Sequence, residues 1–258
     1  MKTQNADTLD WYEPEFRSEI TGKAAEIIAR YPEGKSRSAL LPMLHLTQAY
    51  EGYVSASGIA FCAETLGLTK AEVAAVATFY TMYKRRPTGE YLVSVCTNTM
   101  CGVLGGDEIY AALKEQLGVG HDETTPDGKI TLEHAECLAA CDYAPVVTVN
   151  YEYFDQQDTE SGLKLAQDLI DGKRPQPTRG APLCSFKEMS MQIAGFLDPR
   201  PEARAADAVG EPTLAGLHQK KGKRPVTSSK AEPPMVLTEP ALDKKPAGDT
   251  KMPGKGEK

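Results

Sequence analysis

The sequence predicts an α+β protein in three parts: an N-terminal helical bundle or arm over residues 1–86, a small α/β domain over 87–180, and an extended, mostly disordered basic tail over 181–258. Three observations predict it. The apolar residues recur every three or four positions up to about residue 83, then every second position from Tyr91, which is the change from helix to strand. Four of the six cysteines fall in two close pairs inside the second part. Beyond Pro199, Pro, Gly, Lys and Ala dominate with little periodicity, a composition that buries too little apolar surface to fold alone.

The 258 residues suffice for one large domain or two small ones, and a 41% hydrophobic content supplies a core. The net charge of −7 argues against a primary nucleic-acid role. That charge is uneven: residues 219–258 hold 10 basic and 5 acidic side chains, leaving 19 and 31 for an acidic body. No apolar run reaches the roughly 20 residues of a membrane span, and Met1–Asp10 lacks the apolar centre of a secretory signal. Six cysteines at this length are too sparse for a secreted disulfide scaffold, so a reducing compartment and a metal or redox role are expected.

In the first part, Phe16, Ile20, Ala24, Ile27, Ile28 and Tyr31 share one helical face, ended by Pro32 and Gly34. A second helix is expected over 38–50, with Pro42 tolerated in its first turn and Gly52 ending it. A third runs over 57–66 and stops at Gly67. Thr69-Lys70-Ala71-Glu72 forms a capping box that opens a fourth, in which hydroxyl and carboxylate each satisfy an orphan N–H.

Lys84–Gly89 is a basic turn and the expected domain boundary. Tyr91–Val95 is a strand that delivers Cys96. A glycine-bearing loop over 101–106 leads to a helix over 107–117. Asp127-Gly128 turns into a strand over 129–134, and Pro145 opens another over 146–149. Asn150-Tyr151 reads as a hairpin reversal before Tyr153 and Phe154. Ser161 is expected to cap a final helix to about Asp171. This β-α-β-β-α order is compatible with a thioredoxin-like topology. Residues 185–197 carry a further amphipathic turn or two.

The chemistry lies in the cysteines. Cys96 and Cys101 form a C-x4-C pair and Cys137 and Cys141 a C-x3-C pair, 35 residues apart. A [2Fe–2S] cluster needs four ligands, two per iron, and thiolates on two loops meet that need. Gly102, Gly105 and Gly106 allow the backbone to approach the site closely. The spacings leave structural zinc and two disulfides open. Cys62 lies beside Ile59 and Phe61 and reads as a small buried hydrophobe, and Cys184 as a packing residue. His134, three residues before Cys137, is a secondary ligand candidate, while His45 reads as core or surface. No Walker, GxGxxG or Ser-His-Asp pattern is present, so the chain reads as an electron carrier without a substrate site of its own.

From Cys96 to Tyr153 the sequence resembles the 24 kDa-type subunit of NADH:quinone oxidoreductase, respiratory complex I, a thioredoxin-like [2Fe–2S] ferredoxin. The residues that carry the resemblance are Val95-Cys96 with Cys101, the run from Gly120 to Leu132, Glu136-Cys137-Leu138-Ala139-Ala140-Cys141, Ala144-Pro145 and Val149-Asn150-x-x-Tyr153. Val76–Tyr83 matches the family's motif ahead of the first strand. The second pair often encloses Leu-Gly-Ala in that family, where this chain has Leu138-Ala139-Ala140.

The resemblance implies one [2Fe–2S] cluster on Cys96, Cys101, Cys137 and Cys141. It implies docking beside a flavoprotein subunit that carries NADH, FMN and a [4Fe–4S] cluster, with other peripheral-arm subunits near. It implies a peripheral position on the cytoplasmic side of the cell membrane and a non-catalytic, electron-carrying role in the complex. The N-terminal helices would form an interface arm. The same fold also serves as the diaphorase subunit of NAD-linked hydrogenases or formate dehydrogenases, and a structural zinc module for assembly is the reading from another class.

Overall fold

A computed structural model describes residues 14–206. Residues 1–13 and 207–258, the latter most of the expected basic tail, lie outside the described residues.

The N-terminal part is helical, as the 3.6-residue period requires. Helix α1 (Pro14–Ile28) buries Ile20, Ala24 and Ile27 and ends three residues before the expected Tyr31. A 3₁₀ turn over Ser36–Ala39 leads into α2 (Leu40–Glu51), which is closed by Gly52 in the left-handed conformation. Helix α2 is buried almost all round, from Leu40 through Met43–Ala49, because other helices enclose it on every side. Helix α3 (Ala56–Leu66) starts on Ser55, whose hydroxyl accepts from Gly58 N–H. Helix α4 (Lys70–Phe79) starts on the Thr69–Glu72 capping box, and Met82 lies beyond its end.

A five-stranded sheet follows, in the order β2-β3-β1-β4-β5. Strand β1 (Tyr91–Cys96) lies parallel to β3 (Ile130–Ala135), with Cys96 opposite Ala135. Strand β4 (Val147–Val149) pairs antiparallel with β1 and with β5 (Glu152–Phe154). Asn150 and Tyr151 make the reversal at φ 48° and 70°, the pair of positive angles that a two-residue primed turn demands. Strand β2 (Glu123–Thr124) was not expected; two residues are too few to show a period.

Between β1 and β3 the chain forms α5 (Thr99–Val103) and α6 (Gly106–Leu117). Cys101 therefore sits on a short helix and not in the expected loop. Helix α7 (Thr159–Ile170) starts one turn earlier than expected: Asp158 is the cap, and Ser161 is the reciprocal partner three residues on. Helices α6 and α7 cover one face of the sheet. Val93, Val95, Ile130, Leu132, Val147 and Val149 meet Ile109, Leu113, Leu165 and Leu169 there. Strand alternation turns Leu92, Ser94 and Cys96 to the other face.

The segment after residue 180, expected to be extended apart from an amphipathic turn or two over 185–197, is helical in its first part. Ser185 and Glu188 form a capping box and open α8 (Phe186–Ile193), and α9 (Pro201–Ala205) follows. Helix α8 packs on α2. Gln48 of α2 donates to Ser190 Oγ at 3.3 Å, and Ala194 is buried in the N-terminal core with Met191 against it. The physical reason is that the N-terminal helices leave apolar surface open, and this amphipathic stretch closes it.

Candidate metal centre

The four predicted thiols arrive at one rim of the sheet from two kinds of structure. Cys96 ends β1, and its N–H donates to Val146 O at 3.1 Å. Cys101 lies in the first turn of α5. The two are side by side within hydrogen-bonding reach, each 2% exposed. They pack with Ala140 and Val146, against Leu138, Ala144 and Tyr153. Cys137 and Cys141 belong to the long connection from β3 to β4, are exposed, and bring their sulfurs to 3.7 Å. That connection ends through a short 3₁₀ turn, Cys141–Tyr143, and a cis Ala144–Pro145 bond.

Glycine makes the inner pair possible. A Cβ on Gly106 would stand 2.4 Å from Cys96 O and 2.9 Å from Cys101 O, so only a residue without one lets α6 begin where it does. The electrostatics follow the burial. Burial, with the neighbouring Cys96 sulfur next, pushes the Cys101 thiol up to about 12, while the Val146 N–H pulls it the other way. The Cys137 sulfur, and to a lesser degree the loss of surrounding water, raises the thiol of Cys141. Cys101 and Cys141 therefore resist ionising, and a bound cation would reverse that.

The donors thus stand as two pairs. Among the described residues no three His, Cys, Asp or Glu side chains lie close enough to hold one ion. Two thiolate pairs fit the two irons of a [2Fe–2S] cluster, and the buried pair and the Val146 N–H supply the shielding and hydrogen bonding that such clusters use. The His134 ring lies tilted against His121 at 4.3 Å and meets Tyr110 at 5.8 Å, and the His134 backbone N–H donates to His121 Nδ1. Cys62 is buried in the helical core. Cys184 is buried beside the hairpin, its carbonyl accepting from Asn150 Nδ2 at 2.7 Å.

Sequence reasoning missed the buried polar contacts that fasten β1 behind the thiols. Asn150, fully buried, accepts from Leu92 N–H at 2.7 Å and donates to Glu90 O and Cys184 O. Lys84 is buried between the helices and the sheet, paired with Glu133 and, at 3.3 Å, with Asp122. Ser94 Oγ donates to the same Glu133 at 2.6 Å. The signal for Asn150 was its place in a turn that needs positive φ; Lys84 and Glu133 are 49 residues apart and carried none.

A thioredoxin-like sheet with two thiol pairs on its rim defines an iron–sulfur class of electron carrier. Known proteins narrow the class. A model of the family described as thioredoxin-like [2Fe–2S] ferredoxin matches residues 24–169, and the chain belongs to that family. It is 58% identical over 206 residues to a NADH-quinone oxidoreductase subunit of Mycobacterium tuberculosis, covering 80% of this chain and 81% of that one. It is 39% identical over 150 residues to a NADH-quinone oxidoreductase subunit of Thermus thermophilus, covering 58% and 83%. A solved NAD+-reducing [NiFe]-hydrogenase overlays 51% of this chain and 22% of its own, at 20% identity and a TM-score of 0.46, too slight a likeness to bear on function.

Proposed function

We propose that this chain is an electron-transfer subunit of an NADH:quinone oxidoreductase, respiratory complex I, with one [2Fe–2S] cluster on Cys96, Cys101, Cys137 and Cys141. It exchanges an electron with the FMN of a partner NADH-binding subunit and catalyses no step alone. The observation that carries the reading is the meeting of two thiol pairs at one rim, in a chain 58% identical to a subunit of such an oxidoreductase. The cluster, when bound, takes up and gives back one electron at a time. The chain's residues do the rest. Cys96 and Cys101 hold from a rigid strand and helix. Cys137 and Cys141 hold from an exposed connection, which gives the site its contact with the outside. Buried Ala140 and Val146 keep water from the inner sulfurs.

The partner is the flavoprotein subunit, with other peripheral-arm subunits beyond it. The N-terminal region to about residue 86 acts as its docking arm, and Phe79, Tyr80 and Met82 support this by standing exposed at the end of α4. No described helix is long and apolar enough to cross a membrane, and the chain reaches the cytoplasmic face of the membrane through the complex.

Anaerobic reconstitution of the full chain tests the reading. Equal iron and sulfide, visible absorption and an EPR signal after dithionite are expected. Serine at any of the four positions abolishes or cripples assembly, whereas Cys62→Ala and Cys184→Ala keep the cluster. A colourless chain without inorganic sulfide sinks the proposal, and bleaching by Cys184→Ala with the other variants unaffected sinks the ligand assignment.

A further inference from the structure

We propose that Tyr153 is a positioning residue for the second thiol pair: its hydroxyl holds the Leu138 carbonyl and so fixes the peptide between Leu138 and Ala139 beside Cys137 and Cys141. This rests on the reading that those cysteines hold the cluster. Tyr153 Oη donates to Leu138 O at 3.1 Å, across 15 residues of chain. The ring packs on the group formed by Cys96, Cys101, Ala140 and Val146. The Arg179 guanidinium lies over the ring, 5.2 Å from its centroid.

Arg179 is itself clamped. It pairs with buried Asp155, donating from Nε at 2.9 Å, and reaches Asp142, the neighbour of Cys141, at 3.4 Å. The backbone of Tyr153 is held as well, its carbonyl accepting from Thr178 N–H at 2.8 Å. The tyrosine is therefore a rigid post between the sheet edge and the thiol-bearing connection.

The connection needs such a post. Ala139 adopts φ 58°, the left-handed region that penalises any residue with a Cβ. Left alone, the segment would relax toward ordinary angles. The hydrogen bond to Leu138 O opposes that relaxation. Because the peptide unit is planar, fixing this carbonyl also fixes the direction of the Ala139 N–H. The direction of amides around the sulfurs is one of the terms that sets a cluster's potential. Amide donation favours the more negative, reduced cluster, so losing alignment lowers the midpoint potential.

The test uses the full chain after anaerobic reconstitution, read by iron and sulfide content, EPR g-values and potentiometric titration. Tyr153→Phe keeps the ring and its cation contact and removes only the hydroxyl. It is expected to keep iron and sulfide, shift the g-values and lower the midpoint potential. Tyr91→Phe removes a tyrosine hydroxyl that accepts from Arg174 Nε at 3.3 Å, at the end of β1 opposite Cys96, and is expected to leave the potential and g-values unchanged. Tyr153→Phe with Ala139→Gly, where the left-handed angle carries no penalty, is expected to recover part of the shift. A Tyr153→Phe protein with wild-type potential and g-values overturns the proposal, as does an equal shift from Tyr91→Phe. If Tyr153→Phe assembles no cluster, the double variant decides: a restored cluster supports the proposal and a colourless protein overturns it. A wild-type chain without a cluster would instead strike the functional reading itself.

Discussion

Gly106 shows how much one hydrogen atom in place of a methyl can decide. Its missing Cβ is what lets α6 begin against the carbonyls of both inner cysteines. Gly106→Ala should cost roughly 2 kcal/mol of stability, the usual range for an overpacked site, and should lower the iron retained per chain. Urea denaturation of the metal-free protein and an iron count measure the two effects. His45 gives a second prediction at this scale. It is buried in α2 against the Tyr83 ring, and burial lowers its pKa from 6.5 to about 4. The unfolded chain binds a proton at this residue between those values and the folded chain does not, so stability falls as pH drops from 6.5 toward 4. His45→Phe should flatten the decline over that window in denaturation curves taken at several pH values.

At the scale of the element, α8 is the part whose removal would be felt furthest away in sequence. Phe186 is fully buried, and the Ser185–Glu188 box starts the helix. Phe186→Ala should cost about 3–5 kcal/mol, and Ser185→Ala about 1 kcal/mol. Chemical denaturation should show both losses in the N-terminal helices, which α8 covers. Elements whose cause is local were legible in the sequence: the Thr69 box, the Gly67 stop, the Asn150-Tyr151 reversal and the strand into Cys96. Asp158 and Ser161 were confused because each can cap and they sit three apart, so the box reads the same from either end. Helix α5 was missed because five residues with a glycine among them leave no period. The two cysteine pairs were legible by spacing, but their surroundings were not. Tyr153, Arg179 and Asp155 meet Leu138 and Asp142 only after the sheet has formed.

At the scale of the whole molecule, two apolar cores lie side by side, one helical and one between the sheet and α6–α7. Lys84 with Glu133, and the return of α8, join them. Thiol chemistry should report this division of shelter. In the metal-free chain Cys137 and Cys141 are exposed and the other four thiols buried, so a soluble alkylating agent should label two sites quickly and four slowly, as mass spectrometry of timed samples would show. The same asymmetry divides the proposed socket: Cys96 and Cys101 are set deep by the strand and helix that carry them, whereas Cys137 and Cys141 stand where a reagent or a neighbouring chain can reach them.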